Sequence, residues 1–493
     1  MDEEDHIVSF ALGKFHMGRR KAWAITVFFF LCYFMLLPAN IVSLNMFRDS
    51  FYICLVPILV AAVLYERQLR DGTEYKLLFA FWVWFWISRA LNGSPTLDHD
   101  FNLFFDLPLM MPFFALGTAL TGTEREHFLN WLSAVIGGFY FILGLFALSA
   151  FLRRSLYTLP VADAQIGIAP GADYTRIMIV NDDYNFIAFC YLIALFLMIY
   201  QFFHCEKKLW CVPILLSAFL DLLVIALLGS RSVWLCKALT FALLAAMLLM
   251  QWLQNRSRFL RVSVVLAAAV LVLIASYELS GLSSTAMTGL SYKVTDLRQA
   301  PAETRPQTAN PTGTEGTQVY GSIRPVFLSS GNTEAPEQHA PEQTSEYSDD
   351  VPFSRPQIWL GALQTIKANP SILWRGHLCD SVMLAAFGSI PSDGSGQVPW
   401  NFYNSLIQVL MTTGLPGLLL VVSFLALVLY RGFRFSFCFS APLSLRTLVL
   451  PVVATLPYFM LEAGLFSAID MRTLFYFLMC GLMIGAERKY SDV

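Results

Sequence analysis

The chain has 493 residues, of which 56% are hydrophobic and 14% are charged, and its mean hydropathy is +0.58. Soluble domains carry about 25% charged residues, so this composition excludes an ordinary soluble protein. A formal net charge of −2 gives no reason to expect nucleic acid or another polyanion as a partner.

Long apolar runs recur along the sequence, and the charged residues collect between them. A helix needs roughly 20 apolar residues to cross a hydrocarbon core about 30 Å thick, and this criterion predicts an all-α polytopic membrane protein with about 12 spans. The predicted spans cover residues 22–44, 50–66, 76–93, 101–121, 127–151, 184–203, 209–228, 232–253, 259–278, 415–430, 446–463 and 472–487. One large extracytoplasmic loop falls between spans 9 and 10.

The orientation follows from the distribution of Lys and Arg. These residues are more frequent in the N-terminal segment and the connections on its side than in the alternate connections. The positive-inside rule therefore predicts that both termini are cytoplasmic and that the large loop is outside. The acidic start, Asp2 to Asp5, is untypical of a signal peptide, so the first span is expected to stay uncleaved.

The predicted domains are residues 1–278 with spans 1–9, the loop at 279–414, and residues 415–493 with spans 10–12 and a cytoplasmic tail. Within the loop, residues 299–352 are rich in Pro, Thr, Glu, Gln and Ser. Such a segment cannot bury enough apolar surface to offset its ordering entropy, which predicts a disordered insert. Amphipathic helices are predicted at 354–370 and 401–411.

The two loop helices have recognisable ends. Ser354 followed three residues later by Gln357 is a capping-box pattern, and Asn369-Pro370 ends the first helix. The second helix leads into the tenth span through Gly414-Leu415-Pro416-Gly417. We therefore expect an ordered pair of helices over the outer membrane face, next to the disordered insert.

Arginines of the predicted outer face are the sharpest chemical feature. Arg231 follows Gly229-Ser230 in a short turn between spans, and Arg355 lies at the first position of a loop helix. The helix macrodipole disfavours a cation there unless an anion binds nearby, and the arginine fork suits two phosphate oxygens. Further outer arginines are Arg89, Arg176 and Arg472. The alternative for each is snorkelling to lipid headgroups or pairing with a nearby acidic residue.

Other catalytic groups are scarce. His377 is the histidine of the outer loop nearest to predicted ordered elements, and it could act as a general base or be a simple surface histidine. The sequence shows no Cys/His cluster with metal-ligand spacing and no Asp-rich motif on the outer face. We therefore expect no metal and no cofactor.

Four segments, in this order, resemble the O-antigen ligase / O-antigen polymerase family. They are DDYNFIAFCYLIALF (182–196), GSRSVWL (229–235), SRPQIWLGALQTIKANP (354–370) and YNSLIQVLMTTGLPG (403–417). The first is similar to the start of the family's sixth span, with its asparagine at Asn185. The last resembles the His-Asn-x9-Gly-x-x-Gly signature, with its asparagine at Asn404. The twelve-span layout with a large loop after span nine is also that of the family.

The resemblance implies a membrane glycosyltransferase of the bacterial inner (cytoplasmic) membrane, inverting and independent of metal. It would polymerise or ligate glycans from a polyprenyl (undecaprenyl) diphosphate carrier at the outer face, in the synthesis of cell-envelope polysaccharide. Its partners would be the lipid-linked donor, a glycan or lipid-glycan acceptor, and membrane lipids. Together, the outer arginines, His377 and the resembling segments predict that Arg231, Arg355, Tyr403 and His377 are catalytic. They predict that Arg89, Arg176, Asn185, Asn404 and Arg472 bind substrate.

One position departs from the family pattern. Tyr403 stands where the ligase branch has the histidine that activates the acceptor hydroxyl, and tyrosine, with a reference pKa of about 10, is a poor base at neutral pH. Polymerase and ligase both stay open, as does a catalytically inactive binding homologue. A transporter or flippase of lipid-linked glycans is the other alternative. Transporters often carry inverted repeats and midplane charges, whereas here no internal repeat is visible and Lys237 is the clearest charge inside a span.

Overall fold

A computed structural model describes residues 72–92, 110–154, 157–161, 164–170, 177–179, 184–299, 355–377, 402–461 and 471–491. The predicted spans at 22–44 and 50–66, and the predicted insert beyond residue 299, lie outside the described residues. So does Ser354, the expected cap of the first loop helix.

The described residues are mostly helical. The helices before the loop are α1 (Thr73–Asn92), α2 (Met110–Ala119), α3 (Gly122–Arg153), α4 (Tyr184–His204), α5 (Lys208–Leu228), α6 (Arg231–Trp252) and α7 (Arg258–Gln299). The later ones are α8 (Arg355–Ala368), α9 (Ile372–Arg375), α10 (Ser405–Ser436), α11 (Leu443–Arg446), α12 (Val449–Ala454), α13 (Leu456–Leu461) and α14 (Met471–Ser491). The strands are β1 (Tyr157–Val161), β2 (Ala164–Pro170) and β3 (Ile177–Ile179).

Seven helical segments among the described residues are long and apolar enough to cross a membrane. They are Gly122–Arg153, Tyr184–His204, Lys208–Leu228, Arg231–Trp252, Phe259–Lys293, Ser405–Ser436 and Leu443–Leu461. The predicted class, a helical membrane protein with many spans, is thereby confirmed. The total of about 12 spans and the side of the membrane on which the loop lies stay predictions.

A small antiparallel sheet departs from the all-α expectation. Strand β2 pairs with both β1 and β3, with Ile168 opposite Ile179 in the second pair. Ile168 and Ile177 are both fully buried in the main hydrophobic core. The conformation of this connection therefore depends on burial against the surrounding helices. No local hydrophobic periodicity in the sequence predicted the strands.

The helix of the ninth predicted span also differs from expectation. It was predicted to end at residue 278, but α7 continues as helix to Gln299. Its added part packs against the end of α3, where the hydroxyl of Ser291 donates to the carbonyl of Phe151 at 3.0 Å. The guanidinium of Arg154 donates to Ser291 and lies over the ring of Tyr292. These contacts, and the lack of proline before Pro301, carry the helix beyond the apolar run.

Helices α1 and α14 both pack against α10, and an ionic network marks one end of this group. Arg431 of α10 forms salt bridges with Glu74 of α1 and Glu487 of α14, and Arg488 lies 3.3 Å from Glu74. The side chains of Glu74 and Glu487 are almost completely buried. Because Glu74 opens α1, the other end of α1 must lie at the opposite end of the group, where the loop helices are found.

The other helices are joined by a core of aromatic and small residues. The ring of Phe189 on α4 packs against Tyr458 and Phe459 of α13. Helices α2 and α14 approach closely at Gly481, where an added Cβ would lie 2.1 Å from the carbonyl oxygen of Phe114. Close contact at small residues is typical of helices packed in membranes.

Candidate active site

The turn between α5 and α6 brings Ser230, the residue before Arg231, beside Asn185. Gly229 ends α5 with a φ of 71°, a left-handed conformation that favours glycine, and Ser230 is the N-cap residue of α6. The hydroxyl of Ser230 is buried and donates to the side-chain oxygen of Asn185 at 2.6 Å. Arg231 is the first residue of α6 and is exposed. It makes no hydrogen bond or ion pair with the described residues, so its guanidinium is available to an anion.

Arg472, near the start of α14, lies next to this turn. Its guanidinium donates a hydrogen bond to the hydroxyl of Tyr458 and lies 5.1 Å from the ring centroid of Phe186. Phe186 follows Asn185 on α4, so the same end of α4 contacts both arginine-bearing helices. We call Asn185, Ser230, Arg231 and Arg472 the span-start cluster.

A second group forms where α8 meets the segment before α10. Arg355, the first residue of α8, is half-buried and its guanidinium lies 5.9 Å from the ring centroid of Tyr403. Asn404 is the N-cap of α10, and its side-chain oxygen accepts from the backbone N–H groups of Leu406 and Ile407 at 3.0 and 3.1 Å. Tyr403 immediately before it has a φ of 48°.

The positive φ of Tyr403 is uncommon for a residue with a side chain, and it costs about 1–2 kcal/mol. Neighbouring contacts hold it in place. The indole N–H of Trp359 donates to the carbonyl of Phe402 at 2.9 Å, and the backbone N–H of Phe402 donates to Gln408 at 3.2 Å. A buried apolar cluster that includes Ile358, Phe402 and Met411 joins α8 to this segment. The strain sits at the position where the sequence departs from the family signature.

His377 and Arg89 meet near a break in α10, where Gly414 has a φ of 70° that interrupts the helix. The backbone N–H of His377 donates to the carbonyl of Met411 at 2.9 Å. The guanidinium of Arg89 donates to the carbonyl of His377 at 3.1 Å and to that of Thr412 at 3.3 Å. Arg89 is 5% exposed. We call Arg355, His377, Tyr403 and Asn404 the loop cluster. Arg89 contacts this cluster through its hydrogen bond to the backbone carbonyl of His377.

The structure thus brings together two sets of the predicted residues. Asn185, Arg231 and Arg472 belong to the first, and Arg355, Tyr403, Asn404, His377 and Arg89 to the second. Arg176 lies outside the described residues. In the part of the chain that the structure describes, no group of three or more His, Cys, Asp or Glu is placed to hold a metal ion.

Several residues of the site were not predicted from the sequence. Ser230 could have been found, because serine before an arginine at a helix start is a capping signal. Ser88, whose hydroxyl donates to the carbonyl of Arg375, could not have been found, and neither could Phe186 and Tyr458. Each lies in an apolar helix, and only its tertiary contact gives it a role.

The fold and the site define a polytopic helical membrane protein whose arginines and amide side chains gather at helix starts. Residues 216–422 match the family model described as O-Antigen ligase (Wzy_C). This match supports the resemblance to the O-antigen ligase / O-antigen polymerase family that the motifs indicated. The matched segment contains Arg231, Arg355, His377, Tyr403 and Asn404. No curated protein sequence matches the chain.

Proposed function

We propose that the protein transfers a glycan from a polyprenyl-diphosphate carrier to a glycan or lipid-glycan acceptor at the outer face of the bacterial inner membrane. The family match supports O-antigen ligase-type glycan transfer in polysaccharide synthesis. The observation that carries the finer proposal is the contact between Arg355 and Tyr403, which sets a cation at a helix N-terminus directly beside the family signature.

The reaction is a displacement at the anomeric carbon. The acceptor oxygen forms the new glycosidic bond, the bond between the anomeric carbon and the diphosphate oxygen breaks, and the electron pair leaves with the polyprenyl diphosphate. The configuration inverts. A diphosphate leaving group needs charge stabilisation more than protonation, and donors aimed at developing charge are the strongest means of supplying it. Arg231 and Arg355 fit this role because each begins a helix.

The proton of the acceptor hydroxyl goes to His377 in this scheme. His377 is half-buried and borders the helix break through its backbone, while tyrosine is a poor base at neutral pH. The ring of Tyr403 instead holds Arg355 in place. Asn185, Asn404 and Arg472 would orient the substrates, directly or through the turns that they stabilise. No metal is needed for a leaving group that two arginines neutralise.

A transporter of lipid-linked glycans is the competing function. Lys237, the clearest charge inside a predicted span, is 4% exposed and donates to the hydroxyl of Ser280 between α6 and α7. A lysine packed between two helices does not have the character of a midplane substrate site, which favours the transferase.

The test uses purified full-length protein with a polyprenyl-diphosphate glycan and an acceptor glycan. We expect release of polyprenyl diphosphate together with a lengthened or transferred glycan. Replacing Arg231 or Arg355 by Ala should slow turnover on the order of 10²–10³-fold, and Lys should rescue only in part because it lacks the planar fork. Equal release from wild type and the double Ala variant would refute the mechanism. Movement of the donor across vesicles without bond formation would identify a transporter.

A further inference from the structure

Helix α10 is broken near its start, and the break exposes backbone carbonyls. Gly414 has a φ of 70° and a ψ of −174°, outside the helical region, and Pro416 has no N–H to donate. The carbonyls just before the break therefore lose partners within the helix. Inside a membrane protein each such carbonyl must find another donor, because the hydrocarbon supplies none.

The missing donors come from α1 and from the segment after α9. The carbonyl of Met411 accepts from the backbone N–H of His377, at 2.9 Å. The carbonyl of Thr412 accepts from the hydroxyl of Ser88 at 3.2 Å and from Arg89 at 3.3 Å. The carbonyl of Thr413 accepts from the indole N–H of Trp84 at 2.7 Å. These three consecutive carbonyls are all satisfied from outside their own helix.

The same end of α1 also binds the segment that carries His377. The hydroxyl of Ser88 donates to the carbonyl of Arg375, and so does the amide of Asn92, at 3.1 Å. The second nitrogen of the Arg89 fork donates to the carbonyl of His377 at 3.1 Å. Ser88 and Arg89 thus each bridge two backbone segments, the helix break and the segment Arg375–His377. Both side chains are buried.

The two segments cross in direct backbone contact. Gly376 has a φ of 67°, and a Cβ there would lie 2.3 Å from the carbonyl oxygen of Thr412. The imidazole itself receives no comparable support, because its Nδ1 is buried without a hydrogen-bond partner among the described residues. The position of the His377 ring therefore depends on how firmly its backbone is held.

We propose that Ser88 and Arg89 are positioning residues, which fix the backbone of His377 against the break in α10. This proposal rests on the proposed function, in which His377 accepts the proton of the acceptor hydroxyl. Arg89 acts through His377 and does not bind the diphosphate, since both terminal nitrogens of its guanidinium donate to backbone carbonyls. The role differs from the substrate-binding role that the sequence suggested for Arg89.

The first experiment measures steady-state turnover of the purified full-length protein. Arg89→Ala should lower kcat on the order of 10-fold to 100-fold, the effect expected of a misplaced catalytic group, with the KM for the lipid-linked donor changed less than about 2-fold. Ser88→Ala should act in the same direction, and Arg89→Lys should recover part of the rate because an ammonium can still donate to one carbonyl. Arg154→Ala is the control. Like Arg89, Arg154 lies over an aromatic ring at the end of a helix, but it contacts α7 and not the segment that carries His377. This variant should match wild type.

A double-mutant cycle separates positioning from general damage. If Arg89 acts through His377, Arg89→Ala should cause little further loss in a His377→Ala background. If the double variant loses as much rate as the two single losses multiplied together, the proposal is overturned. A raised KM at unchanged kcat in Arg89→Ala would also overturn it, because Arg89 would then bind the donor. An equal loss in Arg154→Ala would also overturn it, because the effect would then be general destabilisation.

Hydrogen exchange tests the same backbone contacts of Ser88 and Arg89, which we call the clamp, without any need for activity. In Ser88→Ala and Arg89→Ala, the backbone amides of Ile372–His377 and the peptide that spans the break at Gly414 should exchange faster than in wild type, while amides of α3 are unchanged. Unchanged exchange at His377 in both variants would refute the clamp. If the wild-type protein forms no glycosidic bond but the two variants show the expected faster exchange, the proposed function and the catalytic role of these contacts are refuted. Their structural role would remain.

Discussion

The guanidinium of Arg355 lies 5.9 Å from the ring centroid of Tyr403. This contact joins the first residue of α8 to the residue just before the N-cap of α10. It therefore couples a cation suited to phosphate to the one position at which the chain departs from the family signature. The ring of Tyr403 is held at that place by a left-handed backbone conformation.

The ring of Tyr403, and not its hydroxyl, should matter for turnover. Tyr403→Phe keeps the aromatic face and should retain activity within about 3-fold of wild type. Tyr403→Ala removes a cation–π contact of about 0.5–2 kcal/mol and should lower the rate by roughly 2-fold to 30-fold. Release of polyprenyl diphosphate by the purified variants measures both. A large loss in Tyr403→Phe would instead assign the proton transfer to the hydroxyl.

Gly414 should tolerate no side chain. A Cβ there would lie 2.7 Å from the backbone of Trp374, and the φ of 70° alone costs about 1–2 kcal/mol for a residue with a Cβ. Gly414→Ala should therefore lower the thermal unfolding temperature in detergent. The control is Gly138→Ala, because nothing lies within 4 Å of a Cβ at that helical position. Gly138→Ala should be neutral or stabilising by up to about 1 kcal/mol, and equal losses in both variants would contradict the packing described.

Arg431 should be essential for the stability of the packed ends of α1, α10 and α14. Arg431→Ala would remove the main partner of Glu74 and Glu487, whose side chains are almost completely buried. Breaking a buried ion pair in this way lowers the free energy of unfolding by about 3–5 kcal/mol. Thermal unfolding in detergent measures this loss. Arg434→Ala, an exposed arginine on the same helix, is the matched control and should change stability by less than about 0.5 kcal/mol. Similar values for the two variants would show that the network contributes little.

The predicted orientation of the chain determines which surface should be accessible from outside. A cysteine at Lys367, exposed on α8, should react with an impermeant thiol reagent in intact cells in a background without the native cysteines. A cysteine at Asn255, exposed between α6 and α7, should react only after permeabilisation. The reverse pattern would invert the topology and place the loop cluster in the cytoplasm.

The sequence by itself determined the class of the protein and the positions of most helices. Apolar length is a local property, so the spans at 184–203 and 209–228 were predicted within a residue of α4 and α5. The break at Gly414 also follows from local chemistry, since a positive φ restricts the residue types that can stand there. The second loop helix, in contrast, was predicted from residue 401 and begins only at Ser405, after the N-cap residue Asn404.

Only the tertiary structure decided which of these residues meet. The extension of α7 and the sheet at residues 157–179 depend on burial against α3 and the main core, which no local pattern encodes. Arg89 was predicted from its charge and outer location as a substrate ligand, yet it is nearly buried and donates to two backbone carbonyls far along the chain. Those carbonyls need donors because the helix breaks where its backbone is buried, and the identity of a donor is set by which helix packs there.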